Sequence, residues 1–172
     1  MSKGSSVTLR PVELADATVI QTLANHPDIL AMTDLPNPYL PGSAELWIQN
    51  AIISRSKGQA YECVILDLSD DIVGVCGFID IDSQENAAEM GFWLGRPYWG
   101  KGYAIAACRS LIAYGRQALG LQHVVARTLV DNFASRRILE SLGFTQTALE
   151  EVIGQEEGQS TTLVHYQLDL GN

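Results

Sequence analysis

Apolar and polar residues repeat along the chain with two periods, and the switches between them mark its elements. Apolar residues at helical spacing (Leu14, Ala17, Ile20, Leu23, Ala24) predict a helix over 14–25, after a short strand at 7–11. Pro27, Pro36, Pro38 and Pro41 then break the pattern. Residues 26–42 therefore read as a long loop, and its Met32, Leu35, Tyr39 and Leu40 give it the composition of a binding wall. Ser43 is the expected N-cap of a helix over 44–56, with Glu45 in the first turn. Strands follow at 60–68, 72–81 and 87–94, separated by turn residues at 69–71 and 82–86, which predicts an antiparallel meander. A broad apolar face (Ala104, Ile105, Ala107, Cys108, Leu111, Ile112) marks a well-buried helix over 103–119, closed by Gly120. The β-branched run 123–130 is a strand that follows a strand–helix unit, so it should lie parallel to 87–94. Asp131 or Asn132 caps a short helix over 133–142 that Gly143 ends, and 144–153 with 161–170 form a closing hairpin around 154–160. The order β α α β β β α β α β β defines an α+β protein with a mixed, mostly antiparallel sheet, parallel at one place only.

Length and composition narrow the class. A chain of 172 residues, 47% hydrophobic and 18% charged, suits one ordered domain over 1–172. No apolar run is long enough to span a bilayer and the first eight residues lack the apolar core of a signal peptide, so the expectation is a cytoplasmic protein with no membrane partner. Three scattered cysteines (Cys63, Cys76, Cys108) inside apolar segments predict core packing rather than a disulfide frame. The three histidines are equally scattered, which argues against a metal site.

The net charge of −9 argues against nucleic acid as a partner, but its distribution is uneven. Residues 96–137 carry seven basic side chains and one acid, a net +6, and the rest of the chain carries −15. A positive block in an acidic protein points to an anionic ligand at the block, and the acidic remainder suits a cationic second ligand.

That block begins at a glycine-rich turn between an apolar strand and a helix, 94–107. Such a junction is an anion site: the first-turn N–H groups have no partner inside the helix, the dipole adds positive charge, and Gly100 and Gly102 let the backbone approach a ligand. Gly95 to Lys101 fits the start of a nucleotide-binding P-loop. Gly102 then stands where Ser or Thr would hold magnesium, which disfavours nucleotide hydrolysis and favours a phosphate ligand that needs no metal.

The run Trp99-Gly100-Lys101-Gly102-Tyr103-Ala104, followed by Asn132-x-x-Ser135 and Leu142-Gly143-Phe144, resembles the GNAT N-acetyltransferases. With 34–39 and the stretch Ala44-Glu45-x-Trp47-Ile48, it is similar more narrowly to the RimJ/RimL-type subgroup, which acetylates protein N-termini. The resemblance implies a GNAT-like twisted sheet with helices on both faces and acetyl-CoA as co-substrate, without metal. It implies that the backbone of Trp99, Gly100, Lys101, Gly102, Tyr103 and Ala104 holds the pyrophosphate. Phe92, Trp93 and Leu94 would pair with the pantetheine arm, Asn132 would meet its thioester end, and Arg136 or Arg137 the ribose phosphate. A homodimer is common in the family. Many members carry a tyrosine on the short helix to protonate the leaving thiolate; Leu139 stands there, and the resemblance to RimL-like enzymes moves that role to Ser135.

Direct transfer needs a neutral amine. At pH 7 deprotonation costs about 1.4 kcal/mol for an α-amine and roughly 4.6 kcal/mol for a lysine, so an α-amine needs only a modest base. Glu89, which interrupts an apolar strand, is the candidate; its other reading is a surface acid or the partner of an arginine. The acceptor is thus the amino terminus of a peptide or protein, or a small amine such as an amino acid, polyamine or aminoglycoside. A non-catalytic CoA-binding module is a third reading.

Overall fold

The computed structural model describes residues 6–153 and 158–171. Its elements are β1 (Thr8–Pro11), α1 (Ala17–Ala24), α2 (Pro27–Met32), α3 (Ser43–Ser56), β2 (Tyr61–Leu66), β3 (Ile72–Asp82), β4 (Ala87–Leu94), α4 (Tyr103–Ala118), β5 (His123–Leu129), α5 (Phe133–Ser141), β6 (Thr145–Ile153) and β7 (Ser160–Asp169). Most of the predicted loop of the last hairpin lies outside the described residues.

The seven strands form one sheet in the order β1-β2-β3-β4-β5-β7-β6. Alternation along the strands sends side chains to two cores. One face packs Cys76, Phe78, Met90, Val124 and Tyr166 against α4 and Leu139 of α5. The other packs Val64, Val75 and Trp93 against α1, α3 and Tyr39. Helices therefore cover both faces, as the resemblance implied.

The expected meander and the single parallel neighbour are both present: among the described residues β4 and β5 are the only parallel pair, and they are joined at Ala87–His123, Ala88–Val124 and Glu89–Val125. Beyond Glu89 the strands part. β4 stays on β3 as far as Leu94, opposite Gly74, and β5 stays on β7 as far as Leu129, opposite Leu163. A wedge thus opens between two central strands, pointing at the glycine turn.

Two local expectations are corrected. Residues 26–42 are not all loop, because Pro27 sits at the first position of α2, where its missing N–H costs nothing, and His26 Nδ1 accepts the Asp28 N–H at 3.1 Å. Ser43 is not an N-cap. It is the first residue of α3, Gly42 takes the preceding position with φ 88°, and the acceptor comes from α1, where Gln21 Oε1 accepts the Ala44 N–H at 3.1 Å. A tertiary contact replaces the local cap. The three cysteines are buried in the core. No helix among the described residues is long and apolar enough to cross a membrane.

Candidate active site

The glycine turn is built as an open cradle. After β4 the chain makes one 3-10 turn (Arg96–Tyr98) and then passes Gly100 (φ 76°) and Gly102 (φ 80°), left-handed conformations that favour glycine, before α4 begins at Tyr103. The first closed helical bond is Ala106 N–H to the Gly102 carbonyl, 3.3 Å. Among the described residues, the N–H groups of Gly100, Gly102, Tyr103, Ala104 and Ile105 donate to no protein acceptor. Five donors without protein acceptors stand at the start of a 16-residue helix, the arrangement that the expectation of an anion site calls for.

The cradle is held by its own side chains. Trp99 Nε1 donates to the Leu94 carbonyl at 2.9 Å. Arg96 Nε bonds Asp28 Oδ2 of α2 at 2.8 Å while its guanidinium covers the Trp99 ring at 4.4 Å. Tyr98 meets Tyr103 edge-on at 6.4 Å, and the Lys101 ammonium lies 5.9 Å from the Tyr98 ring. Arg96 thus ties the turn to the segment that walls the opposite sheet face.

The wedge beside it has a polar lining. Gly95 N–H donates to the Val73 carbonyl at 2.8 Å, so in the alternating antiparallel ladder Trp93 and Gly91 turn their backbone groups to β3, while Phe92 and Leu94 turn theirs to the gap. Of the three residues predicted to meet a pantetheine arm, Phe92 and Leu94 face the space where one would lie. Trp93 commits its backbone to the sheet and packs its side chain into the α1–α3 core.

The α5 residues stand at the far side of the gap. Asn132 is the N-cap of α5: its Oδ1 accepts the Ser135 N–H at 3.2 Å, and its Nδ2 donates to the Met32 carbonyl of α2 at 3.4 Å. Ser135 is half-buried and its hydroxyl has no partner among the described residues. Leu139 is 1% exposed and closes the core. Arg136 is spent on structure, donating to Tyr166 Oη and to the Val130 carbonyl, both at 3.0 Å. That leaves Arg137, exposed, as the arginine open to an anion on α5.

Glu89 is paired: its Oε1 accepts from Arg127 Nε at 2.7 Å, the arginine-partner reading of this residue. The pair joins β4 to β5 where the strands begin to part, and it lies on the face of α1 and α3.

That face carries what sequence reasoning passed over. Glu62 of β2 is half-buried, opposite Gly77 of β3, which is opposite Gly91 of β4. Burial pushes the Glu62 carboxyl up to about 7; the Trp47 indole N–H works against the rise and the nearby charge of Asp34 adds to it. An open hollow of about 830 Å³ between α3 and the ends of β2 and β3 is also lined by Trp47 and Glu62. The signals were present in the sequence: Glu62 interrupts the apolar run that forms β2, and Gly77 and Gly91 are mid-strand glycines.

A mixed sheet parted at one parallel junction, with unspent helix N–H groups at the mouth of the wedge, is the architecture of an enzyme that takes an acyl donor between its strands. Residues 6–145 match the model of the acetyltransferase (GNAT) domain. The chain belongs to this family and is an N-acetyltransferase. It is 35% identical over 145 residues, 83% of this chain and 81% of the relative, to the uncharacterized N-acetyltransferase p20 of Bacillus licheniformis. Two solved structures share the fold at 20% identity. One is RimL, a ribosomal L7/L12 α-N-protein acetyltransferase in complex with coenzyme A, with a TM-score of 0.87 over 95% of this chain and 94% of that one. The other is the spermidine N-acetyltransferase of Vibrio cholerae in complex with CoA and spermine, with a TM-score of 0.82 over 95% of each chain.

Proposed function

We propose that this enzyme acetylates a primary amine by direct attack, with acetyl-CoA as donor and the α-amine of a peptide or protein amino terminus as acceptor. The observation that carries the reading is the set of N–H groups of Gly100, Gly102, Tyr103, Ala104 and Ile105, which donate to no protein acceptor among the described residues, at the mouth of the parted strands. A diphosphate fits those donors without metal, and Lys101 and Arg137 add positive charge. When bound, acetyl-CoA supplies a thioester carbonyl, an electrophile made reactive by hydrogen bonding.

The remaining work falls to the chain. Phe92 and Leu94 offer backbone groups along the gap, and the Phe92 N–H is the donor we assign to the thioester carbonyl. Leu94's carbonyl is already taken by Trp99. Ser135, with its hydroxyl unspent at the other wall, is the acid for the leaving thiolate. Asn132 sets the start of α5 and so the position of Ser135. Glu89 holds Arg127 across the parting strands, and this anchoring is the role its geometry supports.

The RimL likeness and the lower cost of deprotonating an α-amine favour a peptide terminus. A polyamine is the second reading, favoured by the neighbouring carboxyls of Asp34 and Glu62 and by the likeness to a spermidine acetyltransferase. A thiol-release assay with acetyl-CoA against amino-terminal peptides, spermidine and single amino acids separates them. Release stimulated by peptides with free termini is expected; no stimulation by any amine refutes amine acetylation.

A further inference from the structure

We propose that Glu62 takes the proton from the acceptor's ammonium, reaching it across a bare floor formed by Gly77 and Gly91. The proposal rests on the amine-acetylation reading above and adds the base that this reading lacks.

The geometry is a row across the sheet. Glu62, Gly77 and Gly91 are successive partners on β2, β3 and β4, and their Cβ directions share the face of α1 and α3. Past Gly91 there is no fourth strand, because β5 has already left. A Cβ at Gly77 would stand 2.7 Å from Glu62 Cα and 3.1 Å from its Cγ, so the Glu62 side chain lies over naked backbone that no other residue could supply. A Cβ at Gly91 would meet nothing within 4 Å, so its exposed backbone is open floor. Two strand spacings put Glu62 Cα roughly 10 Å from Gly91, of which the glutamate side chain spans about half. The remainder takes an amine, or an amine and one water, beside the gap where the thioester carbonyl would lie.

The alternatives on this face are engaged or displaced. Glu89 is held by Arg127 at 2.7 Å. The groups facing Glu62 are the Trp47 indole of α3, Asp34 after α2 and, around the hollow, Lys57, Asp80 and Asp82. An approaching ammonium therefore meets mostly negative charge. A carboxyl that titrates near 7 is ionised at slightly alkaline pH, yet close enough in affinity to an α-ammonium to receive its proton. In the step, one N–H bond of the ammonium breaks and its electron pair stays on nitrogen for the attack. The proton passes to Glu62 directly or through the water, and Glu62 returns it to solvent after turnover.

The test compares wild type, Glu62→Gln and Gly91→Val, with the acceptor from the thiol-release panel that gives the highest rate. In the wild type, kcat/KM for the amine should fall with unit slope below about pH 7. Glu62→Gln should lose about a hundredfold at pH 8, lose that acidic limb and keep the acetyl-CoA KM within about twofold. Gly91→Val should raise the amine KM at least about tenfold with acetyl-CoA affinity unchanged. Independently of turnover, the Glu62 carboxyl carbon, assigned by ¹³C NMR against the Glu62→Gln spectrum, should titrate near pH 7. Its midpoint should fall when butylammonium chloride replaces sodium chloride at equal ionic strength. An active Glu62→Gln with its acidic limb intact, or a carboxyl midpoint indifferent to butylammonium, overturns the assignment of Glu62 alone. A wild type that acetylates no primary amine overturns the reading beneath it.

Discussion

Replacing Glu62 by glutamine should stabilise the protein, and by an amount that grows with pH. A carboxyl that ordinarily titrates at 4.5 titrates in the folded chain at about 7, chiefly because it is buried. Each unit is worth about 1.4 kcal/mol, so the ionised carboxylate costs the fold about 3 kcal/mol. Between pH 4.5 and 7 the unfolded chain loses this proton before the folded one does. Stability contributed by the protonated form is therefore complete below 4.5 and is lost as pH rises through 7. Glutamine carries no charge at any pH and still offers an oxygen to the Trp47 indole. Roughly 1 kcal/mol of the penalty is already present at pH 5.5, so the stability difference between variant and wild type should widen by about 2 kcal/mol from pH 5.5 to 8.5. Urea unfolding at both pH values, followed by tryptophan fluorescence, reads it directly. A difference that stays constant with pH, or a variant less stable than wild type at pH 8.5, refutes the claim that this carboxylate is held in an unfavourable place. Such a cost persists where function uses it.

Ser135→Ala should lower kcat by about tenfold to a thousandfold while the Kd for CoA, measured by calorimetry, is unchanged; unaltered turnover removes Ser135 from the mechanism. Gly100→Ala places a side chain in open space but at φ 76°, so it should cost about 1 kcal/mol of stability in thermal unfolding and weaken CoA about tenfold through the displaced cradle. Asp16→Asn breaks a fork in which Arg10 reaches both carboxylate oxygens at 2.7 and 2.9 Å, on a residue 4% exposed, and should cost about 3 kcal/mol in denaturant unfolding at pH 7. Burial pushes Asp16 up, but the bonds from Arg10 and the Glu13 N–H hold it below its ordinary 3.8. This contribution is present above pH 3.8 and fades as pH falls through the folded value, so the variant's deficit should shrink in acid.

The sequence by itself determined most of the elements, α2 excepted, and the expected donor side of the site. Hydrophobic period and turn chemistry are local, so β4 is found over its predicted span, and α4 and α5 start where expected. The proposed phosphate cradle is local too: Gly100, Gly102 and the first turn of α4 are neighbours along the chain, and their chemistry is that of the backbone. The crossover rule reaches one step into tertiary structure, because a strand after a strand–helix unit lies parallel to the first, as β5 does to β4.

Only the tertiary structure brings together the residues of the proposed acceptor side. Glu62, Gly77 and Gly91 are separated in sequence and meet because three strands pair in one register, which no single segment encodes. A slip of one residue would send each to the other face. The same holds for Glu89, which finds Arg127 only once β5 lies beside β4, and for α3, whose first turn is capped by Gln21 from another helix. The proposed phosphate cradle uses backbone N–H groups close together along the chain, whereas a base and its acceptor need side chains brought together across a sheet, and that juxtaposition exists only in the folded chain.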